Sequence, residues 1–244
     1  YSPDGRMYQA EYAAKAVENA GTSIGIRCKD GIVLATEKIV SSRMLVSTSN
    51  RRIFTCDLNV GTACSGFAPD GRQLVNQLRD ICAQYKEQYG VPIPPNQLAD
   101  RMSQYMHAHT CYHYLRPFGA ACLIAGYDED QKKHELYSVK SDGLMFRMFG
   151  AAIGKGARGA QTEIERGKFQ EKTCGNISNF FHFKKSFLFI RFCLDHNRTH
   201  KQAAVTSTTS LETQASSAVL TLLSTLINIQ NRMIFQQSVM ICDG

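Results

Sequence analysis

The stretch GTSIGIRCKDGIVLATEK (residues 21–38) decides the fold class. Residues 22–28 and 32–39 are two β-rich runs, and Lys29-Asp30-Gly31 between them is a hairpin signal. On the N-terminal side, Ser2-Pro3-Asp4-Gly5 reads as a turn feeding a helix. Tyr8, Tyr12, Ala16 and Asn19 recur at i+4 and i+3 steps, with Ala13, Val17 and Ala20 beside them, and Gly21 ends the pattern. On the C-terminal side, residues 53–56 and 60–66 read as a second strand pair. Residues 69–89 form an amphipathic helix with Leu74, Leu78, Ile81, Cys82, Tyr85 and Tyr89 on one stripe, ended by Gly90 and Pro92. Pro94-Pro95 opens another helix, with Leu98, Met102, Tyr105, His109 and Tyr112 on one face. Residues 118–127, 135–139 and 144–149 read as antiparallel strands, with a tight turn at Ser141-Asp142-Gly143, and a helix runs from about 156 to 172. Helices bunched between groups of antiparallel strands predict an α+β layered sandwich rather than a parallel dinucleotide-binding sheet.

The totals agree with one large domain, or one domain plus an appendage. The chain has 244 residues, 43% of them hydrophobic, enough for a sizeable core. A net charge of +7 is spread without a long basic run, so it reads as solvated surface, and neither nucleic acid nor membrane is expected as a partner. The nine cysteines are odd in number and contain no C-x-x-C pair, which points to thiols in a reducing compartment. No signal peptide and no membrane-spanning run is evident, so the sequons at Asn176 and Asn197 read as chance matches.

Four stretches, in this order, carry a resemblance. They are YSPDGRMYQAEYA (1–13), the hairpin at 21–38, HAHTCYHYLRPFGAA (107–121) and GAAIGKGARGAQTEIE (150–165). Together they resemble the α subunits of the 20S proteasome, the type-3 members most of all. The resemblance covers residues 1–174 and implies the four-layer αββα sandwich of the N-terminal-nucleophile hydrolases, incomplete at its C-terminus. Residues 1–174 would be the α-subunit domain. Residues 175–244 are a divergent tail: phenylalanines crowd between Phe180 and Phe192, then come a Thr/Ser-rich tract (203–217) and an apolar run (219–229). This tail reads as disordered, or as the product of splicing or a reading-frame error.

The resemblance sets the functional question, because the family has catalytic and non-catalytic members. Catalytic sisters begin, after cleavage of a Gly-Thr bond, with a threonine whose free amine serves its own hydroxyl as base. Gly21-Thr22 looks like such a bond. The nucleophile position, however, falls on Gly21, the aspartate position holds Glu37, and the lysine falls near Ile53, beside Arg51 and Arg52, which cannot be deprotonated. The expectation is a non-catalytic subunit with no catalytic residues, acting in ubiquitin-dependent protein degradation. The alternatives are a self-processing threonine peptidase or a non-assembling isoform. By resemblance, Pro3 and Tyr12 belong to the cluster that holds an axial gate open. The other two members of that cluster lie upstream of residue 1. Arg52 matches the basic residue that receives an activator's C-terminal carboxylate. The implied partners are other α and β subunits and activators or the regulatory particle, in cytoplasm and nucleus. No cofactor or metal is expected. Gly154-Lys155-Gly156-Ala157-Arg158-Gly159 lacks the acidic residue of a dinucleotide fingerprint. The His109/His113 and His196/His200 pairs lack a third ligand.

Overall fold

The computed structural model describes residues 2–37, 42, 44–46, 49–167 and 169–174, and the backbone of Leu188–Arg191 and Thr206–Ser207. The chain divides into Tyr1–Thr206 and Ser207–Gly244, and the layers described below belong to the first. Apart from those two short strands, the tail's phenylalanine cluster, polar tract and apolar run lie outside the described residues, as do its sequons and His196/His200.

Two hairpins start the two sheets. β1 (Ser23–Arg27) and β2 (Ile32–Thr36) run antiparallel, Ser23 opposite Thr36 and Arg27 opposite Ile32. β3 (Ile53–Asp57) and β4 (Val60–Gly66) pair in the same way. The second sheet continues through β5 (Ala120–Asp128), β6 (Lys133–Val139) and β7 (Met145–Met148), in the order β3-β4-β5-β6-β7. The chain then changes sheets. β8 (Gly150–Ile153) pairs with β1, Ile26 opposite Gly150. With β9 (Leu188–Arg191) on β2, the first unit's part of this sheet has the order β9-β2-β1-β8. The sequence reading took residues 144–149 as one strand. Met148 ends that strand, and Phe149 carries the chain across, its carbonyl accepting the Arg27 N–H at 2.8 Å.

Helices close both outer faces. α1 (Tyr8–Glu18) buries Ala13 and Val17, while Tyr8 and Tyr12 face solvent. Small side chains let this helix lie close to β4 and β5. α2 (Ala68–Tyr89) and α3 (Pro95–Cys111) cover the β3–β7 sheet, burying Leu74, Leu78, Leu98 and Met102. Gly90 ends α2 in the left-handed region (φ 73°), where the absence of Cβ removes the strain. α4 (Ala157–Gly167) lies on β1 and β8, with Ala160 and Ile164 turned inward. It is shorter than the sequence pattern suggested. The Phe169 ring occupies the space beside Gly167, and residues Phe169–Glu171 form a 3-10 turn instead.

The layers are therefore helices, sheet, sheet, helix: the αββα sandwich. Its middle core is built from both sheets: Ile32 and Leu34 meet Ile53, Leu123 and Leu136. Each such side chain contributes about 1.5–3 kcal/mol by leaving water. Gly25 allows the sheets to close, since a Cβ there would stand 3.0 Å from Leu136 Cδ1 and 3.2 Å from Leu34 Cδ2.

Asp70, in the first turn of α2, ties that helix to the loop before β5. Its carboxylate accepts two hydrogen bonds from Arg116, both 2.7 Å, and one from the Gly119 N–H at 2.9 Å. The Arg116 guanidinium holds the Asp70 carboxyl below its ordinary value, helped by Gly119 and opposed by burial. Because the folded-state pKa lies below the unfolded one, this stabilisation is complete above about pH 4 and is lost as pH falls through the folded value. Asp70→Asn should cost about 1–2 kcal/mol at neutral pH. Thermal unfolding across an acid series should show wild type and variant converging at low pH, and a gap independent of pH would contradict this assignment.

Candidate functional site

Thr22 stands at the junction of three elements. Its backbone N–H donates to Glu37 Oε2 at 3.0 Å, and its carbonyl accepts the Glu37 N–H at 2.7 Å. Its hydroxyl accepts the N–H of Gly156, just before α4, at 3.0 Å. The neighbouring peptides are held as closely. Lys155 N–H donates to Ala20 O at 2.9 Å, and the Ser65 hydroxyl donates to Gly21 O at 2.7 Å. Gly154 has a positive φ (103°), and a Cβ on it would stand 2.7 Å from Gly21 O. The G-x-G-x-x-G run therefore packs its first two glycines against residues 20–22 rather than around a phosphate.

This arrangement does not suit a threonine nucleophile, which needs a free amine and a hydroxyl open to substrate. Thr22 is 3% exposed and its hydroxyl is taken by the Gly156 N–H. At the expected lysine position, Ile53 is buried in the core between the sheets. Next to it, Arg52 donates from Nη1 to Gly66 O at 2.9 Å, while its own carbonyl accepts the Cys64 N–H at 3.0 Å. Gly66 has φ 122°, and a Cβ on it would meet Gly119 O at 2.2 Å. Arg52 thus braces the turn that passes from β4 into α2, a contact the sequence did not reveal.

The N-terminal turn is built from local hydrogen bonds. Gly5 N–H donates to Ser2 O at 2.9 Å, and Ser2 and Arg6 exchange N–H bonds, Ser2 N–H to Arg6 O and Arg6 N–H to Ser2 Oγ, each 3.0 Å. Pro3 sits exposed at the tip. Arg6 reaches α1, where it makes a two-pronged ion pair with Glu11 at 2.8 and 2.7 Å and lies over the Tyr8 ring. Tyr8 in turn stacks on Tyr12, with ring centroids 6.4 Å apart. Tyr12 is 57% exposed. Pro3 and Tyr12 are thus both presented at the surface, and Arg52 is half-buried and engaged.

The other candidate residues have structural partners. His109 Nδ1 lies 2.9 Å from the Tyr105 carbonyl oxygen, and its ring packs between Tyr105 and Phe118. α3 ends at Cys111, so His113 lies beyond the helix and does not share a helical face with His109. Seven of the nine cysteines are described, all of them thiols. Burial pushes Cys64 and Cys82 up to about 12, and Cys56 and Cys122 well above the ordinary thiol value. Among the described residues, no helix is long and apolar enough to cross a membrane. The Asp70–Arg116 clasp was missed. Its only sequence signal was the arginine at the head of Arg116-Pro117-Phe118-Gly119, 46 positions from its partner.

Comparison with known proteins agrees with this architecture. The family model described as proteasome subunit matches residues 17–178. The proteasome subunit alpha type-3 of Spinacia oleracea is 49% identical over 174 residues, which is 71% of this chain and 69% of that protein. The alpha type-3 subunit of Dictyostelium discoideum is 47% identical over 174 residues, with the same coverage. A probable alpha type-7 subunit of Saccharomyces cerevisiae is 46% identical over 166 residues, 68% of this chain and 57% of that one. The chain belongs to the proteasome subunit family. The relatives it matches are alpha-type members, as the four stretches suggested.

The Thr22 hydroxyl is a structural acceptor, which predicts a defined response to substitution. Thr22→Val keeps the shape and leaves the Gly156 N–H without its partner, so it should cost about 1–3 kcal/mol in denaturant unfolding. Thr22→Ser keeps the acceptor and should cost less. Unchanged stability in Thr22→Val would show that the hydroxyl holds nothing.

Proposed function

We propose that this chain is a non-catalytic α-ring subunit of the 20S proteasome core, with a structural and gating role in ubiquitin-dependent protein degradation. The observation that carries the non-catalytic reading is the engagement of Thr22: it is buried, its hydroxyl accepts the Gly156 N–H, and buried Ile53 stands where the lysine is expected. A self-processing threonine peptidase would need each of these to change. The alpha-type names of the matched relatives support a place among sister α subunits, stacked on catalytic β subunits. Thiols throughout the described cysteines fit the reducing cytoplasm and nucleus.

In this reading, Pro3 and Tyr12 act at the gate. Pro3 fixes its φ and so sets the turn before any partner arrives. Tyr12 stacks on Tyr8, over whose ring Arg6 lies while paired with Glu11, and offers an exposed ring to a neighbouring subunit. Arg52 receives an activator's C-terminal carboxylate. To do so its guanidinium either shares its donors with Gly66 O or releases that oxygen.

The test of the gating role is Tyr12→Ala in assembled particles. Stability of the free chain should change by about 0.5 kcal/mol or less, as for other exposed positions. Activator-stimulated peptide hydrolysis per intact particle should fall. A large loss of thermal stability with unchanged stimulation would assign Tyr12 to packing instead. Migration with other α subunits on native gels tests assembly, and a chain that runs only by itself would favour a non-assembling isoform.

A further inference from the structure

Cys28, Asp30 and Cys174 bring two thiol sulfurs and a carboxylate oxygen within 4.8 Å of one another. They come from segments 144 positions apart, so no motif announced them. The main chain sets their spacing. Cys28 N–H donates to Gly31 O at 2.8 Å, which closes the hairpin turn that carries Asp30. Cys174 N–H donates to Asp30 Oδ1 at 2.8 Å, and Lys29 N–H donates to Lys172 O at 3.2 Å, which docks the second segment on that turn. Both cysteines are buried in the core beneath α4, and Asp30 is exposed.

We infer that Cys28, Cys174 and Asp30 form a binding site for a soft divalent cation of the zinc class. Two thiolates select such an ion over magnesium or calcium, and a carboxylate oxygen is an accepted third ligand. A tetrahedral zinc ion has sulfur ligands at about 2.3 Å and oxygen at about 2.0–2.2 Å, which requires ligand atoms about 3.5–3.8 Å apart. Small side-chain rotations of Cys28, Cys174 and Asp30, with Asp30 still accepting the Cys174 N–H, close the remaining distance, and water takes the fourth position. Binding is an exchange without redox change: each thiol loses its proton to solvent as its sulfur bonds the ion. The ion would pin the β1–β2 turn to residue 174. The inference is independent of the gating role proposed above.

Cobalt(II) reports such a site directly. Titrated into the full chain under reducing conditions, it should give thiolate-to-metal charge-transfer absorption and the intense ligand-field bands of a tetrahedral ion. These should saturate at a single equivalent and disappear on addition of zinc. Cys28→Ser and Cys174→Ser should each remove the charge-transfer band or weaken binding by roughly tenfold or more. Asp30→Asn changes an exposed side chain; it should keep the fold and weaken binding by a similar factor. Cys111→Ser should change nothing. That control matters because the exposed Cys111 thiol lies 3.3 Å from His107 Nε2 and could hold cobalt by itself. The site is overturned if no charge-transfer band forms, or if the band is lost in Cys111→Ser and kept in Cys28→Ser. If the cysteine variants fail to fold, Asp30→Asn decides: full affinity in that folded variant overturns the three-ligand site.

Discussion

The hydrogen bond from the Gly156 N–H to the Thr22 hydroxyl joins the start of β1 to the start of α4, and the bonds around it draw in the rest. Glu37 adds the far end of β2, Ser65 adds β4 of the other sheet, and Lys155 adds the turn after β8. Three separate stretches of chain thus converge on residues 20–22. Gly154 and Gly156 make this possible because a Cβ on either would collide with atoms of that short segment. The same contacts support the non-catalytic reading proposed above, since a nucleophilic threonine needs its hydroxyl open to substrate.

A second set of contacts fixes the opposite layers. Gly25 lets the sheets close on Leu34 and Leu136, and Phe149 carries the chain from one sheet to the other. At the head of α2, Arg52 holds Gly66, Gly66 fits against Gly119, and Asp70 grips Gly119 and Arg116. Arg52 is therefore part of the fold. Its position next to a glycine that no other residue could replace gives the guanidinium a defined orientation at the surface.

Long periodic segments were legible in the sequence, and changes of layer were not. The stripe from Leu74 to Cys82 named the buried face of α2, and Lys29-Asp30-Gly31 named the hairpin, because both signals are local. The passage from β7 to β8 left no trace: strands in either sheet look alike in sequence, and only pairing with β6 or β1 separates them. For α1 the spacing showed a helix but not which face packs. Ala13 and Val17 pack because they are small, and the larger tyrosines point outward. Pro3 and Tyr12 could be named only through family likeness, since exposed residues carry no periodic signal. Asp70 with Arg116, and Cys28 with Cys174, are pairs made by tertiary folding alone.

The central claim is that residues 20–22 hold the sandwich together and are not a processing point. Intact-mass analysis of the chain purified from assembled particles tests this most directly. The account predicts that α1 remains covalently joined to β1 in every copy, with no species beginning at Thr22. A population of chains whose first residue is Thr22 would contradict it, since cleavage there would free the amine that the structure shows bound to Glu37.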